Sequence, residues 1–322
     1  MKLLVTLPAL NEEKSIKVVI EKIPNKIDHI SVVDVLVLND GSSDNTASYA
    51  IQAGARVISL KHNMGLGFIF QKGVEEAIKG DYDIMVNIDA DGQFNPHDIV
   101  KLIMPIINEE ASFVTASRFI DKELIPKMPG MKKWGNKMVA HLISYISGKK
   151  YYDVSCGFRA YSKEALLNLN LFSKFTYTHE TFLNLSFKDL IIHEVPIEVR
   201  GEREFGNSKM ASSLWKYGYN IFNTIFRTAL DYKPLKFFGW GGILLFVAGL
   251  ILDIFIGGRF LITGLVTPYK TIGFVGLFLN VFGLMLLIVG LLADMINKVR
   301  LTQERLLYFW KKNESKEKRK KD

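Results

Sequence analysis

A chain of 322 residues allows one or two domains with a substantial core, and 48% hydrophobic against 23% charged residues exclude a globally disordered polypeptide. The single cysteine, Cys156, excludes an internal disulfide framework and points to a reducing compartment. The net charge of +8 does not indicate a nucleic-acid partner, because residues 298–322 hold ten basic and four acidic side chains, leaving a nearly neutral body at +2.

In chain order, strand-like runs are predicted at 2–7, 33–38, 56–60, 84–88 and 113–116, separated by helical stretches. In the first helix Ile16, Val19, Ile20 and Ile23 recur on one face and Pro24 ends it; Asn95 and Pro96 supply the cap and first turn of another that runs to about Ile107. Such alternation predicts a mostly parallel sheet, whose carboxyl edge is where open α/β folds bind ligands. Between 208 and 236, Met210, Leu214, Tyr217, Ile221, Phe222 and Ile225 fall at helical spacing beside Lys209, Lys216 and Arg227. That pattern fits either an amphipathic helix at a membrane interface or an ordinary surface helix on a soluble core.

The segment 237–257 carries Asp253 as its only charge and 272–293 carries none, so each has the roughly 20 residues needed to cross a bilayer. Two transmembrane helices are expected, since buried core helices are shorter and keep a polar face. Glycines 239, 241, 242, 249, 273, 276, 283 and 290 suit close packing in lipid, without indicating which faces touch. The connection 258–271 carries only Arg259 and Lys270. Arg227, Lys233 and Lys236 precede the first span, and Lys298, Arg300, Arg305 and the terminal lysines follow the second. By the positive-inside rule this is expected to be an integral membrane hairpin with both termini and the domain before it cytoplasmic. The expected organisation is an α/β domain over 1–207, juxtamembrane amphipathic helices over 208–236, the hairpin over 237–297 and a basic tail over 298–322 that is either solvated or drawn to anionic lipid. No cleavable signal peptide is expected, because the chain opens on a strand-like run.

The chemistry is expected where strands end. In "IMVNIDADGQF" the fourth strand runs into Asp89, Asp91 and Gln93, whose side chains point the same way if the backbone stays extended. Three oxygen ligands suit Mg²⁺ or Mn²⁺, completed by water and a diphosphate, although an Asp-x-Asp alone is equally an acidic turn capping the next helix. "VLNDGSSDNT" places Asp40 and Gly41 after the second strand, where a carboxylate can accept from a ribose or base and glycine lets the backbone approach closely; Asp44 is placed to cap the next helix. Pro8, Asn11 and Glu12 of "LPALNEE" can shape a pocket wall, and Asn63, Gly65 and Gly67 add a further junction.

"LPALNEE", "NDGSSDNT", "NMGLGFIFQKG" and "DADGQF", in this order over roughly 90 residues, resemble the nucleotide-sugar half of the inverting family 2 glycosyltransferases of GT-A fold. "DVSCGFRAYS" and "REFGNSK" resemble the polyprenyl-phosphate hexosyltransferase branch, which includes dolichol-phosphate mannosyltransferase. The resemblance implies an α/β, Rossmann-like GT-A domain that takes a GDP- or UDP-hexose and a polyprenyl phosphate, dolichyl or undecaprenyl, at a lipid surface, with no nucleic acid; a homo-oligomer is left open. It further implies that Asp89, Asp91 and Gln93 hold the metal, that Pro8, Asn11, Glu12, Asp40, Gly41 and Asp89 line the nucleotide site, and that Arg118 and Arg203 meet phosphates. Arginine suits that task because its planar fork pairs phosphate oxygens bidentately. Lys132 and Lys133 are the basic candidates before "WGNK", with Ser208 and Lys209 less well matched. Asp153 is the candidate base or acceptor-site carboxylate, or else caps its own loop; Glu180 is a candidate for sugar hydroxyls; Cys156 is expected to be a packed thiol. A processive polysaccharide synthase would carry more spans and a Gln-x-x-Arg-Trp sequence, which "QERLLYFW" does not supply. A nucleotidyltransferase would show a basic glycine loop where "PALNEE" stands, and a catalytically silent nucleotide-sugar-binding scaffold is the remaining alternative.

Overall fold

The computed structural model describes residues 1–171, 177–200, 223, 225–228, 230 and 232–319. The chain falls into two compact units, one comprising Met1–Ile225 with Leu306–Asp322 and the other Phe226–Arg305.

The first unit is built on a seven-stranded sheet of order β3-β2-β1-β4-β6-β5-β7. β1 (Lys2–Ala9), β2 (Val32–Asn39), β3 (Arg56–Ser59) and β4 (Ile84–Asn87) are parallel. β6 (Arg159–Ser162) runs antiparallel between β4 and β5 (Phe113–Ser117), and β7 (Ile192–Pro196) forms an edge parallel to β5. The sequence KLLVTLPA of β1 is apolar at nearly every position because both sheet faces are covered. Leu3, Val5 and Leu7 enter the core on one side with α1 (Ile16–Glu21), α2 (Thr46–Gln52) and α4 (Ile99–Ile107). Leu4 joins Leu36 and Leu38 on the other, against α3 (Leu66–Lys79), α5 (Gly130–Ser147), α6 (Lys163–Asn168) and α7 (Thr178–Phe187). Each such fully buried aliphatic side chain contributes about 1.5–3 kcal/mol. Asn95 caps the short 3₁₀ turn Pro96–Asp98 by accepting from the His97 N–H at 3.2 Å.

The five strands expected from sequence are present. β6 and β7 were not anticipated, and β6 matters most for the site. Its register places Arg159 beside both Asn87 and Thr115. Running against its neighbours, β6 begins at the edge where β4 and β5 end, so the loop preceding it reaches the same edge as residues 88–93 and Arg118.

The C-terminal segment of this unit is helical through Arg319 and engaged with the globular body, not a freely solvated tail. Tyr308 Oη donates to Glu164 at 2.9 Å, Lys311 Nζ donates to the Leu169 carbonyl at 3.0 Å, and Ser315 donates to Asp81, which also pairs with Lys163.

The second unit contains α8 (Pro234–Thr263) and most of α9 (Lys270–Arg319), both long and apolar enough to cross a membrane and both longer than the expected spans. Gly257 and Gly258 do not interrupt α8; it ends at Gly264, whose φ of +66° suits a C-cap and whose N–H returns to the Phe260 carbonyl at 2.8 Å. The touching faces are glycine stripes at heptad spacing. A Cβ on Gly242 would lie 2.8 Å from the Gly283 carbonyl oxygen, and one on Gly249 would lie 2.6 Å from that of Gly276. Asp253 lies within α8, where it accepts from the Asn280 amide on α9.

Candidate functional site

Three loops at the carboxyl edge are sewn together by side chains from the predicted motifs. Asn11, at φ +51°, accepts from the Ser43 N–H at 2.8 Å through Oδ1, while its own N–H donates to Ser42 Oγ at 2.9 Å. The Glu12 N–H donates to Thr46 Oγ1 at 2.8 Å. Asp44 accepts from the Thr46 N–H at 3.0 Å, but the N-cap position of α2 falls on Asn45, which makes no side-chain cap bond; burial works against the charge of Asp44, but hydrogen bonds led by Thr46 lower its pKa. Asp40 is buried and receives the N–H groups of Met64 at 2.7 Å and Gly65 at 3.0 Å, so it orders the 63–65 loop as well as bordering the site. Gly41, at φ +76°, lies so close to the His62 main chain that a Cβ would sit 2.8 Å from its carbonyl carbon. Pro8 differs from expectation: β1 continues to Ala9, so Pro8 is buried inside the strand beside Leu38 and not on the loop.

The residues suited to a cation follow β4. The extended backbone expected to align them is not present, since β4 ends at Asn87 and the chain turns at Gly92, φ +75°. Asp91 is 4% exposed and its Oδ1 accepts from the Gln93 N–H at 3.1 Å, so the turn, not strand alternation, sets their relation. Gln93 Nε2 donates to the Arg200 carbonyl at 3.2 Å, which orients the amide and makes Oε1 its atom suited to a metal. A cleft of roughly 530 Å³ opens beside it, lined among others by Ser15, Lys22, His97, Glu198 and Arg200. Asp89 is backed by Gly157, where a Cβ would stand 2.7 Å from Asp89 Oδ2, so the carboxylate lies in space that only glycine leaves open. Among the described residues no group of three or more His, Cys, Asp or Glu could hold a metal unaided. Two carboxylates and an amide oxygen fit a hard divalent ion that takes its remaining ligands from water and a diphosphate.

The loop before β6 carries the second half of the site. Asp153, with a fully buried side chain, forms a bidentate pair with Arg118, Nε to Oδ2 at 2.6 Å and Nη2 to Oδ1 at 2.8 Å. Its Oδ1 also caps the loop by accepting from the Ser155 N–H at 3.2 Å. Burial opposes the charge on Asp153, but Arg118 outweighs it and holds the carboxyl below its ordinary range. A carboxylate so held is a poor proton acceptor. Arg118 Nη2 also donates to Ser155 Oγ at 2.8 Å, and Ser155 reaches Asn136 Oδ1 of α5 at 3.1 Å. Cys156 is buried, and its thiol is pushed up to about 12, mainly by desolvation, so it is a packed group and not a nucleophile.

Four residues here escaped the sequence reading. Arg159 is fully buried, donating to the carbonyls of Cys156 at 2.7 Å, Val154 at 2.9 Å and Thr178 at 2.9 Å, with its guanidinium over the Phe182 ring at 5.1 Å. Asn87 donates to the Gly157 carbonyl at 3.1 Å and to Tyr177 Oη at 2.8 Å, tying β4 to the same loop. Asn136 and Glu194 complete the set. Arg159 carried a signal, a lone cation inside the otherwise apolar strand FRAY; Asn136 and Glu194 have none beyond their position. Glu180 is 6% exposed in the first turn of α7, and the neighbouring His179 is held neutral by burial, its pKa lowered to about 3. Lys132 and Lys133 are exposed in the first turn of α5. Arg203, Ser208, Lys209 and residues 208–222 of the expected interfacial helix lie outside the described residues.

α5 also presents an apolar face to its surroundings. Met131, Trp134, Met138 and Tyr145 are 72%, 64%, 52% and 82% exposed at spacings that stack along one side of a helix, among Lys132, Lys133 and Lys137.

Residues 4–169 match the model of the glycosyl transferase family 2. The UDP-N-acetylglucosamine–dolichyl-phosphate N-acetylglucosaminyltransferase of Methanococcus voltae is 36% identical over 60% of this chain and 83% of its own length. The undecaprenyl-phosphate 4-deoxy-4-formamido-L-arabinose transferase of Proteus mirabilis is 26% identical over 92% of this chain and 89% of its own. Among solved structures, glucosyl-3-phosphoglycerate synthase from Mycobacterium tuberculosis, in complex with Mn²⁺, UDP and glucosyl-3-phosphoglycerate, aligns with a TM-score of 0.56 at 24% identity, covering 71% of this chain and 80% of that one. The shared fold is GT-A.

Proposed function

This chain belongs to glycosyl transferase family 2, and on that premise we propose that it moves a hexose, with inversion, from a GDP- or UDP-sugar to a polyprenyl monophosphate at the cytoplasmic face of a membrane. Named relatives transfer different sugars onto lipid phosphates, which supports the kind of reaction without choosing the sugar. The observation that carries the reading is the meeting, through Gly157, of the Asp89 cradle and the Arg118–Asp153 loop at one sheet edge.

Asp40, Gly41, Asn11 and Glu12 would form the nucleoside side, and Asp89, Asp91 and Gln93 Oε1 would hold Mg²⁺ or Mn²⁺ against the diphosphate. When bound, such an ion supplies charge neutralisation for the departing diphosphate. The lipid phosphate, with a second pKa of about 6, is largely dianionic at neutral pH and needs no strong base. One of its oxygens attacks the anomeric carbon; the bond from that carbon to the diphosphate oxygen breaks and its electron pair leaves with the nucleoside diphosphate. Asp153 therefore serves to orient Arg118. A phosphate reaching that guanidinium meets a cation already fixed in place, with little side-chain freedom left to lose. Lys132, Lys133 and Arg203 are the further candidates for acceptor-phosphate contacts.

The acceptor's isoprenoid tail stays in the bilayer, so the site must work at headgroup height. The exposed apolar side of α5 with its lysines suits insertion at an anionic surface, and the distribution of basic residues around the two apolar helices supports cytoplasmic termini.

The test offers a panel of radiolabelled nucleotide sugars, with one polyprenyl phosphate, to the full chain in vesicles and extracts the product into organic solvent. Label enters lipid from one donor, and a chelator, Asp89→Ala or Asp91→Ala each lowers transfer by about 100-fold or more. Undiminished transfer after these changes overturns the metal assignment, and transfer from no donor overturns the reaction.

A further inference from the structure

Asp153 is held at two levels. Its carboxylate grips Arg118, and its main chain is gripped by Glu194 of β7: Oε1 accepts from the Asp153 N–H at 2.7 Å and Oε2 from the Tyr152 N–H at 2.8 Å. The two donors are adjacent peptide groups reached by one side chain from more than forty residues along the chain. β7 is the outermost strand, joined to β5 in a register that pairs Glu194 with Thr115, three residues before Arg118. Glu194 therefore fastens the loop carrying Asp153 to the sheet edge from which Arg118 emerges.

A carboxylate is poorly suited to this position unless its two acceptor oxygens are the point. Asp153 is close enough to disfavour a second negative charge, and the site is half-buried. Two converging N–H donors, however, need an acceptor at each terminal atom of the side chain. Glutamine supplies one and opposes the other N–H with its own NH₂ group, whereas glutamate accepts both.

We propose that Glu194 is a positioning residue for sugar transfer, setting Asp153 and through it Arg118 in the geometry that receives the acceptor phosphate. This rests on the reading that Arg118 meets a phosphate. Desolvation, the largest effect, together with the charge of Asp153 raises the Glu194 carboxyl to about 7, even against the backbone donors. The clamp is thus mostly charged only a unit or so above neutrality and gains a proton as the pH falls through about 7, which weakens one acceptor oxygen. The groups facing it are Asp153 and Tyr151 on the loop, with Arg118 bound to Asp153 and the Ser117 hydroxyl at the end of β5. His193 precedes it on β7, where alternation turns successive side chains to opposite faces.

Two measurements on the full chain in anionic vesicles test this. Hydrogen exchange of the 151–156 segment, corrected for the intrinsic effect of pH, is expected to quicken about tenfold between pH 8 and pH 6 in the wild type. In Glu194→Gln it is expected to be fast at both. In the transfer assay, with the donor the panel identifies, Glu194→Gln is expected to lower kcat at least tenfold, with donor KM and binding of that donor's nucleoside diphosphate within twofold. Its acid limb should shift from about pH 7 to about 6, the range of the lipid phosphate itself. Wild-type exchange at pH 8 that shows no protection of the Tyr152 and Asp153 amides overturns the clamp even if the variant folds badly. Normal kcat and an unmoved acid limb in Glu194→Gln overturn its positioning role. If the wild type transfers no sugar to any lipid phosphate, the functional reading falls alone, and the exchange data still decide whether Glu194 holds the loop.

Discussion

At the residue scale, the site depends on groups that have no freedom to change size or charge. Gly157 must lack a side chain because Asp89 Oδ2 occupies the place of its Cβ, at 2.7 Å. Gly157→Ala is expected to displace Asp89, weaken Mn²⁺ dependence and lower transfer about 100-fold, since a shift of this order at a positioned group costs about that much. Metal titration of activity and a thermal melt, which should move by only a few degrees, check this together. The Arg118–Asp153 pair follows different rules. Asp153→Asn leaves a guanidinium uncompensated in a largely buried position and is expected to cost about 3–5 kcal/mol, whereas Arg118→Met with Asp153→Leu recovers most of that stability and no activity. Denaturant unfolding of the three proteins tests the order. The two acids of this corner also have opposite linkage. Asp153 has a lowered folded-state pKa, so its contribution is present above the ordinary 3.8 and is lost as the pH falls through the still lower folded value. Glu194 has a raised one, about 7 against 4.5, so the folded state binds the extra proton and stability declines as the pH rises across that window, by at most about 3 kcal/mol. Unfolding at pH 3, 5 and 8 should therefore give the highest stability near 5, and Glu194→Gln should flatten the descent towards 8.

Elements bring these residues together through direction. β6, reversed between β4 and β5, returns the 153–158 loop to the edge where the parallel strands end, and Arg159 then pins that loop to the start of α7 through three carbonyls. α5 is divided between two tasks. Ala140 and Ile143 face the core, while Met131, Trp134, Met138 and Tyr145 remain exposed among lysines. Because the native cysteine is buried, Trp134→Cys creates a single accessible thiol for an environment-sensitive dye. In vesicles with anionic lipid its emission is expected to shift to the blue, and replacing Lys132, Lys133 and Lys137 by Glu should weaken the shift. A dye that reports water in both cases removes α5 from the lipid surface.

For the whole molecule, the two long apolar helices are held together by shape and, among the described residues, by a polar contact. Gly242 and Gly249 of α8 lie against Gly283 and Gly276 of α9, and Asp253 meets the Asn280 amide in the same interface. Small residues allow this approach where no hydrophobic force drives two helices together in lipid. If both termini are cytoplasmic, a cysteine placed at Leu265 in a chain lacking Cys156 should react with an impermeant maleimide from outside intact cells. One at Lys312 should react only after lysis. The reverse pattern overturns the orientation read from the basic residues.

Much of this protein was legible in its sequence. The five leading strands, the two apolar helices and the acidic and glycine-rich loops follow from local patterns, because periodicity and strand-end chemistry repeat wherever a parallel sheet is covered on both faces. Cys156 as a packed thiol was legible for the same reason, an apolar neighbourhood without an activating partner. Extended backbone was expected through Asp89, Asp91 and Gln93, but the strand ends at Asn87 and the chain turns at Gly92. The partnership of Arg118 with Asp153, the place of Gly157 behind Asp89 and the grip of Glu194 on two peptide groups join residues 35 to 68 positions apart. They depend on the strand order that puts β6 and β7 beside β5. Local pattern records what each segment buries; which buried or charged groups then share a neighbourhood is decided only when the sheet has assembled.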